Sequence, residues 1–596
     1  MSDSEGIEVP ARTRIPYWRL VADQAGVTPE VLNFKYDGSG TEEDPYRVKW
    51  IPNDPRNPMT FGQVKKWFIT MTVAITTLAV ALVSSAYTGG IREIIFEFKI
   101  SQEVATLGVS LFVLGFAIGP LLWAPLSEMF GRQYLFIGTY AALTAFNAAC
   151  AGAQNSYSLI ILRFFAGAFG SSPLTNAGGT IADMFPASQR GLAMAIFAAA
   201  PFLGPVLGPV IGGFLGMNAG WRWVMGFLAA FSGALWIAGT LLVPETYAPV
   251  LLRRRAAKLS KMTGKVYVSQ IDHDRGKVTL GESFKTALSR PWILLFKEPI
   301  VLLLSIYMAI VYGTLYMLFA AFPIVYQVNR GWNSGVGGLP FLGIMVGMLA
   351  AIGYTIPMNK RYVKIEQENG GFAPPEARLP SCLIGSVALP IGLFWFAWTN
   401  SPSIHWMVSI AAGVPFGFGM VLVFLSVMNY LIDSYTIFAA SVLAANSVLR
   451  SLFGAAFPLF TTYMYNDLGI HWASSVPAFL ALACVPFPFL FYKYGASIRE
   501  KCKFAAQSAA FMRKLQNDAA TPSDEAEKDE TAPADEAFDD DASTEVDEPT
   551  YAPVTATRTH QSTASRASRA SRASRRKSYE GNPYDIDRVN TRQSFT

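Results

Sequence analysis

The sequence predicts an all-α membrane protein of twelve spanning helices, arranged as two six-helix halves. Three observations predict it. The 596 residues are 52% hydrophobic and only 15% charged, where a soluble domain carries about a quarter of charged residues. The charges crowd into residues 1–66, a stretch near 244–298 and residues 495–596, which leaves long apolar runs between them. Apolar runs of about 18 residues or more read as membrane spans. Finally, the runs come as six, a polar interval, then six more.

In order, the spans fall at 68–88, 105–124, 134–153, 159–181, 192–215 and 223–243, then at 299–325, 337–358, 380–399, 405–430, 437–464 and 473–494. The resulting division is a tail at 1–66, a first half at 67–243, a central loop at 244–298, a second half at 299–494 and a tail at 495–596. With the N-terminus inside, the inner segments hold Lys65, Lys66, Arg132, Arg190, Arg253 to Arg255, Lys258, Lys261, Lys360, Arg361, Lys364, Arg378, Lys493, Arg499, Lys501 and Lys503. The outer loops hold only Arg92, Lys99, Arg222 and Arg330. That asymmetry places both termini in the cytosol and fits a multi-pass protein of the plasma membrane. The opening residues are too polar for a cleavable signal peptide, so the first span itself is expected to direct insertion. No outer loop carries an Asn-x-Ser/Thr acceptor for an N-glycan.

Composition also excludes. The four cysteines, Cys150, Cys382, Cys484 and Cys502, have no paired spacing, which suggests neither a disulfide framework nor a metal site. No GxxxxGK[ST] loop and no recognisable catalytic triad occurs, so neither an ATP-driven pump nor an enzyme is expected. No cofactor or nucleic-acid partner is expected. Residues 521–550 are rich in Pro, Ala and acids, and 564–578 read ASRASRASRASRRKS. Both lack the apolar content for a core. The Arg-x-Ser spacing offers Ser568, Ser571, Ser574 and Ser578 to a kinase, or the basic cluster to anionic lipid; a solvated tail without a task is the alternative.

Three stretches inside the spans carry mechanism. In the fifth, GPVLGPVIGG sets Gly204, Gly208, Pro209, Gly212 and Gly213 so that glycines four apart share a face and admit a neighbouring backbone. After the second, APLSEMFGRQYLF sets Glu128 four residues before Arg132, a spacing that pairs across one helical turn, with Gly131 between them and Asp183 at the end of the fourth span. Arg163 in the fourth span and Arg450 in the eleventh are ionisable groups at membrane depth, functional by default. For Arg163 the alternative is a side chain that snorkels to the interface. Arg450 follows Asn446 on a polar stripe and is expected to face a central cavity.

These motifs resemble those of the major facilitator superfamily. The fifth span looks like its antiporter signature, with Ala195 where the pattern has a further Gly. The first loop looks like its Gly-x-x-x-Asp-x-x-Gly-Arg signature, with Ala124 and Glu128 replacing the leading Gly and the Asp. DPRNPMTFGQVKKW (54–67), PETYAPVLLRRRA (244–256) and ASIREKCKFA (496–505) resemble the fungal branch of twelve-span drug:proton antiporters, which includes polyamine, azole and toxin exporters. The resemblance implies alternating access by rocking of 68–243 against 299–494. In it, Glu128, Gly131, Arg132 and Asp183 latch the cytosolic ends in the outward-open state, Arg163 takes part in coupling, and the proton gradient supplies the energy. No acid marks a midplane proton site: Glu93, Glu97, Asp183, Glu298 and Asp433 all lie near span ends. Proton antiport therefore rests on the resemblance.

The expected substrate is a drug-like or cationic hydrophobic small molecule. Aromatic walls suit such ligands, and Tyr312, Tyr316 and Phe319 recur at helical spacing in a seventh span that also holds Tyr307, Phe322 and Tyr326. Asn429 and Asn446 offer polar contacts, and Trp395, Phe396 and Trp398 crowd the ninth span. A proton-coupled uptake permease of the same fold, or a non-transporting sensor, is the alternative; the fifth-span pattern favours export.

Overall fold

The computed structural model describes residues 15–276, 279–369 and 373–520. The tail serines Ser568, Ser571, Ser574 and Ser578 lie outside the described residues. Two compact units divide the chain. The first holds every span and runs to Ala510; the second begins at Phe511, and its described part, 511–520, is helical.

Among the described residues, eleven segments are long and apolar enough to cross a membrane. The last of them, Thr436–Lys501, has 66 residues. At 1.5 Å per residue it would be about 100 Å long, roughly three times a bilayer core. Gly469, at φ 72° and ψ 167°, breaks it. A left-handed φ is open to glycine at little cost, and here it turns one run into the eleventh and twelfth spans.

The first half comprises Gln63–Ala86, Gln102–Phe130, Arg132–Ala151, Ser156–Met184, Ala187–Ala219 and Trp221–Leu242. The second comprises Pro299–Phe322, Phe341–Glu368, Pro380–Thr399, Gly413–Ser434 and the two spans divided at Gly469. Several begin or end a few residues outside the expected bounds, because helices run on past the apolar stretch. The first span continues over the outer end as a turn, Tyr87–Gly90, and a helix, Ile91–Phe98.

Packing shows an internal duplication that the residues do not. The first span packs on the fifth and the second on the fourth; likewise the seventh packs on the eleventh and the eighth on the tenth. The halves meet where the second touches the eleventh and, symmetrically, the eighth touches the fifth. Parallel repeats related by an axis along the membrane normal produce this pattern.

The expected N-terminal tail departs from the sequence reading. Residues 15–61 fold against the central loop and cap the end of the first half at which the chain enters; this end is termed inner and the opposite one outer. Val31, Val48, Ile51, Leu252 and Leu259 form a small core there, and β1 (Tyr46–Val48) pairs in parallel with β2 (Tyr267–Ser269). Arg255, on the loop helix Ala248–Thr263, is fully buried and reaches both Asp54 oxygens, at 2.5 and 3.2 Å. Further along, Thr279 and Glu282 form a capping box at the start of the helix Leu280–Lys297, which leads into the seventh span.

Candidate functional site: inner charge clusters and a midplane interface

At the inner end of the first half, Gly131 stands at φ 95° and stops the second span, so Glu128 and Arg132 lie on different helices. The expected one-turn geometry of these two residues is therefore broken, although the Glu128 charge still acts on Arg132. Arg132 bonds Asp183 instead, Nε to Oδ2 at 2.6 Å and a terminal nitrogen to Oδ1 at 3.3 Å. Its guanidinium lies over the Tyr247 ring at 5.0 Å. A Cβ on Gly179 would come within 2.4 Å of it.

Beneath this pair lies Glu245, from the PETY stretch. Its side chain is buried and accepts from the backbone N–H groups of Arg132 and Gln133 at 3.1 Å, and of Thr246 and Tyr247 at 2.9 Å. Its carboxylate thus caps the third span at the end where a helix dipole favours an anion. Burial pushes the Glu245 carboxyl above the usual range, against the pull of the backbone donors and of Arg132. The Glu245 carbonyl accepts from both terminal nitrogens of Arg56, at 3.1 Å, and burial lowers Arg56 to about 10. Gln24 bonds the Gln133 side chain at 2.6 Å. The sequence signal for Glu245 was present only as a family marker. The partners of Arg132 named here, Asp183, Glu245 and Tyr247, belong to the first half and the loop that follows it.

The second half repeats the device. Arg378, just before the ninth span, bonds Asp433 at the end of the tenth at 2.9 Å. Its guanidinium sits 3.3 Å from the Tyr362 ring centroid, and Tyr362 also bonds Asp433. Arg499 bonds both oxygens of Glu376, at 3.0 and 2.8 Å.

Arg163 is fully buried and does not snorkel. It donates to the carbonyls of Gly108, Val83 and Ser84 at 3.0 to 3.1 Å, with Phe112 and Tyr87 against its faces. It binds the first, second and fourth spans to one another through their backbones.

The fifth-span glycines make two faces. On one, a Cβ at Gly204 would stand 2.5 Å from the Leu78 carbonyl, at Gly208 1.9 Å from Ser85 Oγ, and at Gly212 2.0 Å from the Ala86 carbonyl. This stripe lies on the first span. On the other, a Cβ at Gly213 would stand 2.4 Å from the Ser334 carbonyl, and one at Gly338 2.5 Å from the Pro209 carbonyl. This face joins the halves at their outer ends.

At mid-depth the halves meet through aromatic and small polar groups. Tyr316 bonds Ser84 of the first span at 2.9 Å, and Tyr312 and Tyr316 lie 4.9 Å apart. Phe424 of the tenth span meets Phe202 of the fifth edge-on at 4.4 Å. Arg450 stands between them, 4.8 Å from the Tyr312 centroid and 5.0 Å from that of Phe424. Asn446 is buried and donates to Ser305 at 3.3 Å. Of the other candidates, Phe319 adjoins this interface, edge-on to Tyr316 at 5.1 Å, and Asn429 does not. Phe319 packs on Phe341, and Asn429 donates back to the Leu425 carbonyl one turn earlier. Trp395 and Trp398 are exposed on the bundle surface while Phe396 is buried.

The span-end acids are all bonded. Glu93 accepts from the Trp221 backbone and Glu97 from the Trp221 indole, each at 2.7 Å, and Glu97 also pairs with Arg222. Glu298 accepts from Tyr435 at 2.8 Å and from the Phe504 backbone at 2.9 Å. The cysteines are buried and unbridged, and no cluster of metal-ligating side chains occurs among the described residues.

The model of the Major Facilitator Superfamily matches residues 73–458. The chain belongs to this superfamily. It is 71% identical over its full length, and over 98% of the other protein, to the "Major facilitator superfamily multidrug transporter mdrA" of Aspergillus fumigatus. It is 66% identical, over 99% of the chain and 98% of the other, to the "MFS-type efflux pump MFS2" of Trichophyton rubrum. Over 84% of both chains it is 54% identical to the "Efflux pump FUBT" of Fusarium oxysporum. Among solved structures, the proton:xylose symporter XylE shares the fold, with a TM-score of 0.53 at 15% identity over 73% of this chain and 96% of that one. This member of the superfamily is a multi-pass membrane transporter and not an enzyme.

Proposed function

We propose that this protein exports drug-like hydrophobic small molecules across the plasma membrane, with both termini in the cytosol, by alternating access coupled to inward proton movement. The observation that carries the reading is the interface at mid-depth, where Tyr312, Tyr316, Phe202 and Phe424 bring aromatic surface from both halves together. Major-facilitator transporters bind substrate between their repeats near the midplane. The efflux pumps with which the chain aligns over nearly its whole length support the outward direction. The outer contacts at Pro209–Gly338 and Gly213–Ser334 close one side of this interface. Each half moves as a body, fastened by Arg132–Asp183 or Arg378–Asp433, and parting of the outer contacts releases substrate. The proton carrier is not assigned to any of the span-end acids, each of which already holds a bond.

The test is accumulation of neutral Nile red in yeast lacking its own exporters, with and without this protein, before and after an uncoupler. Lower dye content that recovers with the uncoupler is the expected result. Higher content would mean uptake, and unchanged content of both Nile red and 2-naphthoate with the protein present at the cell surface would overturn the export reading.

A further inference from the structure

Arg450 differs from the other arginines of the transmembrane bundle. Arg132 and Arg378 each hold a carboxylate, and Arg163 is solvated by three backbone carbonyls. Arg450 has neither among the described residues. Its neighbours are the ring faces of Tyr312 and Phe424. Its Nε is out of reach of solvent and makes no hydrogen bond. One turn earlier on the same face, the Asn446 carbonyl oxygen is also buried and unbonded. No residue between Asp433 and Asp467 is acidic. Asp433 is already engaged by Arg378 and Tyr362 at the inner end.

A cation at membrane depth without a counter-charge is expensive, and ring faces return only about 1–2 kcal/mol. Both rings lie within about 5 Å of the guanidinium carbon and offer its N–H groups no oxygen in their π-faces, and the fork of those N–H groups matches the two oxygens of a carboxylate. The same charge repels a cationic ligand, whatever the appeal of the aromatic walls.

We propose that Arg450 is the anion-recognition residue of the central site, and that the substrates it selects are hydrophobic organic acids with an ionised carboxylate beside an aromatic or polycyclic body. The assignment rests on the export reading only for its direction of transport; the recognition itself is a property of the bound state. Tyr312 and Phe424 seat the apolar body and hold the guanidinium edge toward it. The Asn446 oxygen accepts from a hydroxyl on the same ligand.

The experiment is equilibrium binding to the purified full-length protein in lipid nanodiscs, without a proton gradient. The probes are 2-naphthoate, 2-naphthamide and 2-naphthyltrimethylammonium, which share a ring system and differ in charge. A charge-assisted pair predicts that naphthoate binds at least about tenfold more tightly than either companion. Arg450→Gln should bring naphthoate down to the level of the amide. Arg450→Lys, which keeps the charge and loses the fork, should retain a smaller preference. Equal binding of the ammonium and the carboxylate by the unaltered protein overturns the assignment and needs no variant. An unchanged carboxylate-to-amide ratio in folded Arg450→Gln protein overturns it as well. Export of Nile red without a carboxylate preference refutes this assignment alone. A carboxylate preference in a protein that exports neither Nile red nor naphthoate refutes the export reading and leaves the assignment standing.

Discussion

Replacing Asp54 with alanine should unfasten the cap from the first half while leaving the spans folded. Asp54 and Arg255 are both about 1% exposed and hold each other through two bonds. Asp54 also accepts from the Arg56 backbone at 2.9 Å. Arg255 has two further partners, the carbonyls of Ala25 and Gly26 at 3.1 and 3.4 Å. Neither neutralises its charge. Removing one member of a buried pair leaves an uncompensated ion and costs about 3–5 kcal/mol. A small folded unit has only about 5–15 kcal/mol in total, so the loss takes up much of the cap's stability. Replacing both partners with apolar residues, Asp54→Leu with Arg255→Met, removes the stranded charge along with the bond and should recover most of it. The assay is amide hydrogen exchange over residues 15–61 in the full-length protein in nanodiscs. Asp54→Ala should speed exchange there on the order of a hundredfold or more, as about 3 kcal/mol implies, with the spans unaffected. The double replacement should return most of the protection. A single replacement that changes exchange less than about fivefold would refute the buried-pair argument, and so would a double replacement as damaging as the single.

Two other outcomes follow from close contacts. Gly212→Ala should cost about 1–3 kcal/mol, because its Cβ would meet the Ala86 carbonyl at 2.0 Å, while Gly226→Ala, with nothing within 4 Å, should be neutral; thermal melting of the two purified variants compares them, and equal melting points would refute the helix contact. Arg132→Ala, which strands Asp183 and removes the stacking on Tyr247, should lower dye export several-fold with normal insertion, measured as export per molecule at the cell surface, and full activity would refute a conformational role.

The spans were legible because a bilayer imposes one requirement, continuous apolar length, and the sequence meets it twelve times. The twelfth depends on Gly469, whose break matters because the run without it is far too long to cross once. The fifth-span glycines were legible because helix periodicity alone puts them on shared faces. The one-turn geometry read for Glu128 and Arg132 failed for the opposite reason: spacing assumes a continuous helix, and Gly131 ends it, although Glu128 still acts on Arg132 across the break. The cap was illegible because what holds it is remote in sequence. Asp54 meets Arg255 and Glu245 meets Arg56 across about 200 and 190 residues, and three-residue strands leave no periodic trace. DPRNP and PETYAPVLLRRRA appeared as two separate family markers, and only the fold shows them to be the two sides of one contact. Arg450 was placed at the centre from the cost of its charge, but its lack of a counter-charge required the positions of every nearby acid.

The fifth span indicates where the molecule must give way if it alternates. Its stripe from Gly204 to Gly216 runs along the first span and the turn that follows it, with backbone within reach of each glycine. Twelve residues of helix make that seam about 18 Å long. A slide of one helix along the other would drive Ser85 or the Ala86 carbonyl into the turns between the glycines, so the two spans must travel together. The opposite face meets the other half through Pro209 and Gly213 against Gly338 and Ser334, with the Phe214 ring against Gly335, and nearer mid-depth through Phe202 on Phe424. Where backbone lies on backbone, at Pro209–Gly338 and Gly213–Ser334, there is little apolar area to lose on parting. The same glycines therefore weld one interface and keep the other weak. The hinge motion expected of a two-half transporter has its weakest point at the outer ends, and substitutions that enlarge Gly213 or Gly338 act on the gate, whereas those at Gly208 or Gly212 act on the body.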